Sequence, residues 1–266
     1  MIHPTALVHP KAELEPTVRV GPYAVIDEGV KIGPGCIIGP HVYLTGQTLI
    51  GARNQFFAGC VIGEAPQDLK YQGEPTGLKI GDGNVFREHV TVHRSNTPEE
   101  ETVVGSQNFL MANAHVAHNC RLGNQVIFAN GVLLGGHVTV DDRVFLSGNC
   151  VVHQFVRVGT LSLMQGGSAA SRDVPPYTML FNVNCLCGLN VVGLRRAGMT
   201  AAERLELKQL YRALFREGEN LRAAVAAGRK KFLSAPAQAM LDFVAASKRG
   251  ICFDVGNRAA AGREAE

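Results

Sequence analysis

A chain of 266 residues that is 46% hydrophobic, with 30 glycines and no tryptophan, can form either one large domain or a solenoid with an appendage. No stretch approaches the roughly 18 consecutive apolar residues of a membrane span, so no integral membrane segment is expected. The formal charge of +3 is uneven, because from Gly193 onward 14 Lys and Arg face 8 Asp and Glu, a balance of +6 carried by the tail. No nucleic-acid partner is expected.

The first predicted element is a six-residue beat running from Ile2 to Ala169. It passes through Val8, Leu14, Val20, Ile26, Ile32, Ile38, Leu44, Ile50, Phe56 and Ile62, then Ile80, Phe86 and Val92, then every sixth residue from Val104 to Met164. All 25 positions are apolar. The next residue is often glycine, which suits tight corners, and the fifth position is small or β-branched, as at Ala24, Val30 and Val42. A hexapeptide period predicts a parallel β-helix. Three hexads close one triangular coil, so residues i and i+18 stack, and neighbouring coils bury what a single coil cannot. Cys36, Cys60, Cys120 and Cys150 occupy fifth positions, which predicts buried thiols in a reducing compartment. The hexad at Ile2 leaves no room for a signal peptide, so a cytoplasmic location is expected.

Two insertions interrupt the beat, Glu64 to Lys79 and Arg94 to Val103. Counting hexads in threes puts both exits on the face holding Ile62, Val92, Val116, Leu134 and Val152. Loops leaving a solenoid corner commonly carry function. The first insertion contains Gln67-Asp68-Leu69-Lys70-Tyr71. Five of the nine histidines, His93, His115, His118, His137 and His153, lie between this loop and the end of the solenoid. The coil step stacks His118, Gly136 and Gln154 and sets Asn119 beside His137.

The tail reads as helical. Thr200-Ala-Ala-Glu203 is a capping-box pattern, followed by Leu207, Leu210, Tyr211, Leu214 and Phe215 up to Gly218. A second helix is expected over Glu219 to Lys230, and a third from about Pro236 to Gly250. From about Arg258 the sequence reads as a disordered end. The expected division is a β-helix domain over residues 1–190 and a helical domain over residues 191–266.

Three readings fit the histidine strip. The imidazoles can decorate corners; three of them can hold a catalytic zinc, as in hexapeptide carbonic anhydrases; or one can serve as general base in acyl transfer. Acyl transfer needs a base that is neutral near pH 7 and a donor for the tetrahedral oxyanion, and a glycine N–H one coil away can be that donor. No serine or cysteine nucleophile with a partnered base is evident, which points to direct transfer.

The motifs Ile62-Gly-Glu-Ala-Pro-Gln-Asp-Leu-Lys-Tyr71, Val92-His-Arg94, Asn113-Ala-His-Val-Ala-His118, Gly135-Gly-His137, Val152-His-Gln-Phe155, Asp173-Val-Pro-Pro-Tyr177 and Gly188-Leu-Asn190 resemble those of the UDP-N-acetylglucosamine O-acyltransferases. The resemblance covers nearly the whole chain. It implies a left-handed parallel β-helix followed by a small C-terminal α-helical region, assembled as a homotrimer without metal or cofactor. It also implies transfer of a 3-hydroxyacyl group from acyl carrier protein to the 3-hydroxyl of UDP-N-acetylglucosamine, the first step of lipid A biosynthesis. By position, His118 is then the general base and Gly136 the oxyanion donor. Asp68, Lys70, His115, His137 and Gln154 bind the sugar nucleotide, joined by Asn190 and Arg196 from an adjacent subunit. His93 and His153 line an acyl groove, and Gly166, where the family varies side-chain size, implies room for a longer chain. One departure stands out: the family usually has Asp after the catalytic histidine, and here the residue is Asn119. An amide can orient imidazole but carries no charge to stabilise imidazolium.

Overall fold

The structure is a computed structural model that describes residues 1–217 and 220–256. Strands mostly two residues long stack in parallel into three sheets. Among the described residues these contain nine strands from Leu7–Val8 to Ala169–Ala170, eight from Glu13–Leu14 to Arg157–Val158, and eleven in the third. The coil step is 18 residues at Leu7↔Val25 and at His115↔Leu133. It lengthens to 30 at Val61↔Thr91 and to 24 at Thr91↔His115, where the two insertions leave the same edge of the first sheet.

The apolar beat becomes the core because a coil's inward side has no access to water. Ile26, Leu44, Ile62, Val92, Val116, Leu134 and Val152 form one buried column, beside a second of fifth-position residues: Ala24, Val42, Cys60, Val90, Ala114, Val132 and Cys150. Each fully buried aliphatic side chain is worth about 1.5–3 kcal/mol. Phe56 and Phe86 stack face to face at 4.7 Å. The four fifth-position cysteines are buried thiols, and burial pushes Cys60 and Cys120 up to about 12.

Polar residues also enter the inward column. Asn54, Asn84 and Asn108 form a buried ladder in which the Asn84 amide donates to Asn54 Oδ1 at 2.9 Å and the Asn108 backbone N–H donates to Asn84 Oδ1 at 2.9 Å. Asn54 and Asn84 also donate to the Gly81 and Gly105 carbonyls, so the amides are satisfied.

The second-position glycines do not play the corner role expected of them, whereas glycines at the fourth position, such as Gly29, Gly59 and Gly131, do. The left-handed corner falls on the fourth position, at Tyr23, His41, His89, Asn119, His137 and Phe155, all with positive φ. Most second-position glycines instead permit close approach between coils. A Cβ on Gly33 would lie 2.8 Å from the Gly51 carbonyl, and one on Gly81 would lie 2.8 Å from the Gly105 carbonyl oxygen.

After the last coil, Thr178–Phe181 and Cys185–Leu189 form an antiparallel pair. Helix α1 (Val191–Arg196) follows, unanticipated because it is only six residues long, and Asn190 caps it. Helix α2 (Ala201–Phe215) has the expected capping box, with Thr200 and Glu203 bonded reciprocally. Helix α3 (Leu221–Lys231), capped by Asn220, starts two residues after the expected point. Helix α4 (Ala235–Ala245) ends five residues before Gly250. The chain must leave the helix there, since Gly250 O accepts from Asp173 N and Phe253–Asp254 joins the sheet beside Cys185–Leu189. The end from Arg258, expected to be disordered, lies outside the described residues. No helix among the described residues is long and apolar enough to cross a membrane.

Candidate active site

The strip predicted from the coil step is present on the first sheet, and its centre is His118. This residue sits at a third position, just before the left-handed corner at Asn119. Its Nδ1 lies 2.8 Å from Asn119 Oδ1. The amide orientation is fixed independently: Asn119 Oδ1 accepts from the Asn96 backbone N–H at 3.1 Å, and its Nδ2 donates to Ser95 Oγ at 2.9 Å and Glu100 Oε2 at 2.7 Å. Nδ1 of neutral His118 therefore carries the proton, and Nε2 carries the free lone pair.

Gly136 lies directly against that nitrogen. A Cβ on Gly136 would fall 2.7 Å from His118 Nε2 and 2.6 Å from Cε1. No group among the described residues accepts from the Gly136 N–H, while its carbonyl accepts from Phe155 N. His137 meets the His118 ring edge-on at 5.2 Å and stacks on Phe155 at 4.6 Å. Burial, with the neighbouring His118, holds His137 below the ordinary imidazole range. Gln154 follows on the next coil and is exposed.

Above lies the first loop. Asp68 accepts from Asn96 Nδ2 at 2.7 Å and from the Lys70 N–H at 3.0 Å, and these bonds hold its carboxyl below the usual range. Lys70 is exposed. The loop is clamped by Arg94, which donates to Gly63 O at 2.8 Å and to the Tyr71 hydroxyl at 3.1 Å.

To one side, His115 Nδ1 pairs with Thr91 Oγ1 at 2.7 Å, and His93 meets its ring edge-on at 4.8 Å. His93 is 5% exposed and its Nδ1 is without a partner. Burial, reinforced by the neighbouring histidines, pushes His93 down to about 4, so it is neutral. His153 stands at the other end, contacted by Arg249 of the tail at 3.2 Å. No three His, Cys, Asp or Glu side chains are grouped to hold a metal ion among the described residues.

Asn190, Arg196 and Gly166 do not belong to this strip within one chain. Asn190 is buried, and its amide caps α1 and donates to Leu161 O at 2.9 Å. With Arg196 it lines a cavity of about 700 Å³ over Ile127, Phe145 and Leu163, on the third sheet. The nearest contact a Cβ on Gly166 would make is at 3.5 Å, to Gly148 O, so a side chain there is sterically tolerated.

Sequence reasoning missed Arg94, Ser95, Asn96 and Glu100. All four belong to the second insertion, outside the six-residue register, so spacing could not connect Ser95, Asn96 and Glu100 to Asn119, or Arg94 to the first loop. The one available signal was that both insertions leave by the same edge.

A family profile described as UDP-N-acetylglucosamine O-acyltransferase, domain 2, matches residues 173–252, and one described as bacterial transferase hexapeptide (six repeats) matches residues 2–46 and 101–136. The acyl-[acyl-carrier-protein]--UDP-N-acetylglucosamine O-acyltransferase of Halorhodospira halophila is 46% identical over 253 residues, spanning 94% of this chain and 98% of that protein. The chain belongs to this O-acyltransferase family. The enzyme of the same name from Syntrophobacter fumaroxidans is 47% identical over 254 residues, with the same coverage. The solved Francisella novicida UDP-N-acetylglucosamine acyltransferase superposes with a TM-score of 0.93 at 33% identity, covering 98% of this chain and 96% of that one. The Arabidopsis family member superposes with a TM-score of 0.84 at 36% identity, covering 95% of this chain and 100% of that one.

Proposed function

We propose that this chain moves a 3-hydroxyacyl group from acyl carrier protein to the 3-hydroxyl of UDP-N-acetylglucosamine, with His118 as general base. The observation that carries this mechanism is the contact between Gly136 and His118 Nε2. A Cβ there would fall 2.7 Å from that nitrogen, so the glycine backbone, whose N–H has no acceptor among the described residues, stands beside the base, and thioester attack requires a base and such a donor.

His118 Nε2 takes the proton as the sugar oxygen bonds to the thioester carbonyl carbon. The electron pair of the C=O bond moves onto oxygen, and the Gly136 N–H stabilises that oxyanion. Collapse breaks the C–S bond, and the imidazolium returns its proton to the departing thiolate of the carrier. Direct transfer is supported because no serine or cysteine bonds the His118 ring among the described residues. The reaction calls for no cofactor.

Asp68 and Lys70 on the clamped loop, with His115, His137 and Gln154, hold the sugar and its diphosphate. Asn190 and Arg196 reach the nucleotide from a neighbouring chain of a homotrimer, since their face is not that of His118. His93, His153 and Gly166 line the acyl groove, where the absent side chain at Gly166 leaves length for the acyl tail. The carrier protein docks on α2, whose Arg204, Lys208 and Arg212, with Arg216 at its C-cap, line a cavity of about 720 Å³ together with Leu189 and Leu194. Residues 1–190 serve as the acyltransferase domain and residues 191–266 as the helical domain, and the enzyme works in the cytoplasm.

The test mixes the protein with UDP-N-acetylglucosamine and a panel of 3-hydroxyacyl carrier proteins and follows O-acylated sugar nucleotide. Product from one narrow range of chain length is expected. No product with any donor overturns the reading.

A further inference from the structure

Asn119 is 5% exposed, and both ends of its amide are engaged. Its oxygen faces His118 Nδ1 at 2.8 Å, and its nitrogen donates to Glu100 Oε2 at 2.7 Å. A carboxylate only accepts, so Glu100 requires the NH2 of Asn119 on its own side and the oxygen on the imidazole's side. That oxygen in turn requires the proton of His118 on Nδ1. Glu100 also lies 3.9 Å from His137 Nδ1, which makes it the carboxylate held behind the amide at this end of the strip.

We infer that Glu100 is a positioning residue for the general base. Through the Asn119 amide, and together with the Asn96 backbone N–H, it fixes the His118 tautomer with the lone pair on Nε2, and it supplies the negative charge that stabilises the imidazolium formed during attack. The inference rests on the proposed function above. A hydrogen bond to a carboxylate polarises the amide, so Asn119 Oδ1 becomes a stronger acceptor when His118 is charged. The amide thus passes on a charge it does not own.

The other titratable groups around His118 are His93, His115, His137 and Asp68. The three imidazoles are held toward their neutral form, and Asp68 is bonded to Asn96. Glu100 is joined to His118 through Asn119 alone, whereas Asp68 reaches it only through both Asn96 and Asn119.

The decisive variant is Glu100→Gln, which keeps an acceptor for Asn119 and removes only the charge. Plateau kcat should fall about tenfold with little change in KM for the sugar nucleotide. The acidic limb of the pH–rate profile should move to lower pH, because losing a nearby negative charge disfavours imidazolium. Asn119→Asp then discriminates by context. In the Glu100→Gln background the new carboxylate touches His118 directly and kcat should recover. In the wild-type background its second oxygen would meet Glu100 where Nδ2 now donates, so it should gain nothing or lose. An unmoved limb, an unchanged kcat, or equal effects of Asn119→Asp in both backgrounds overturns the inference. A limb that stops moving in a His137→Gln background assigns the titration to His137 and overturns it as well. His118→Ala run alongside keeps the two readings apart: its activity must collapse for the base assignment to stand, whatever Glu100→Gln does.

Discussion

Gly136 and His118 are joined by the absence of a side chain. A Cβ at 136 would occupy the space beside Nε2, at 2.7 Å, and the nearest atoms it would meet all belong to the His118 ring. Gly136→Ala is therefore expected to fold normally, since the ring can swing aside, and to lose on the order of 10²–10³ in kcat. His118→Ala should lose on the order of 10²–10⁴. Steady-state kinetics with thermal melting as a control checks both, and a folded His118→Ala with most of its turnover would sink the base assignment.

The Arg94 fork holds the loop that carries Asp68 and Lys70. Arg94→Lys keeps the charge but cannot reach Gly63 O and the Tyr71 hydroxyl together. KM for the sugar nucleotide should rise about tenfold, with a smaller change in kcat. A change confined to kcat would mean that the loop serves the chemistry and not binding.

His93 makes stability depend on pH. Burial lowers its folded value from 6.5 to about 4, so between those limits the unfolded chain binds a proton that the native chain does not. Stability then falls as pH falls from 6.5 toward 4, by about 2 kcal/mol at pH 5 from this residue alone. Urea unfolding of wild type and His93→Gln at pH 7.5 and pH 5 checks it, and the variant should lose less on acidification. Equal losses would refute a neutral buried His93.

The basic row on α2 sets the salt response. If it steers an acidic carrier protein, raising ionic strength should increase KM for the acyl donor more than for the sugar nucleotide. Lys208→Glu, on an exposed position of α2, should do the same at low salt, by about tenfold. Equal responses of both substrates would make the row only a solvated helix face.

The β-helix was legible because each coil repeats one steric problem. The same inward site recurs every six residues, so Leu44, Ile62 and Val92 were found by counting alone. The stack of His118, Gly136 and Gln154 followed from the same step. What the period could not show was anything outside it. Glu100 lies in an insertion, and its pairing with Asn119 depends on loop conformation. The Asn54 to Asn108 ladder was hidden because a buried amide breaks the apolar pattern while keeping the steric one. The strand at Phe253–Asp254 was missed because two residues carry no period, and their partner lies more than sixty residues earlier.

That late strand has a consequence for how the chain is made. A parallel β-helix grows at an open edge, and each new coil is templated by the one before it. As synthesis proceeds, the newest coil always offers unpaired N–H and C=O groups to any similar chain nearby. In the third sheet the edge passes to the antiparallel strand Cys185–Leu189, and Phe253–Asp254 pairs with its first two residues only after α1 to α4 have been made. The helical tail is thus also a delay, and over that interval a chaperone or a sister chain can meet a longer open edge than the finished molecule presents.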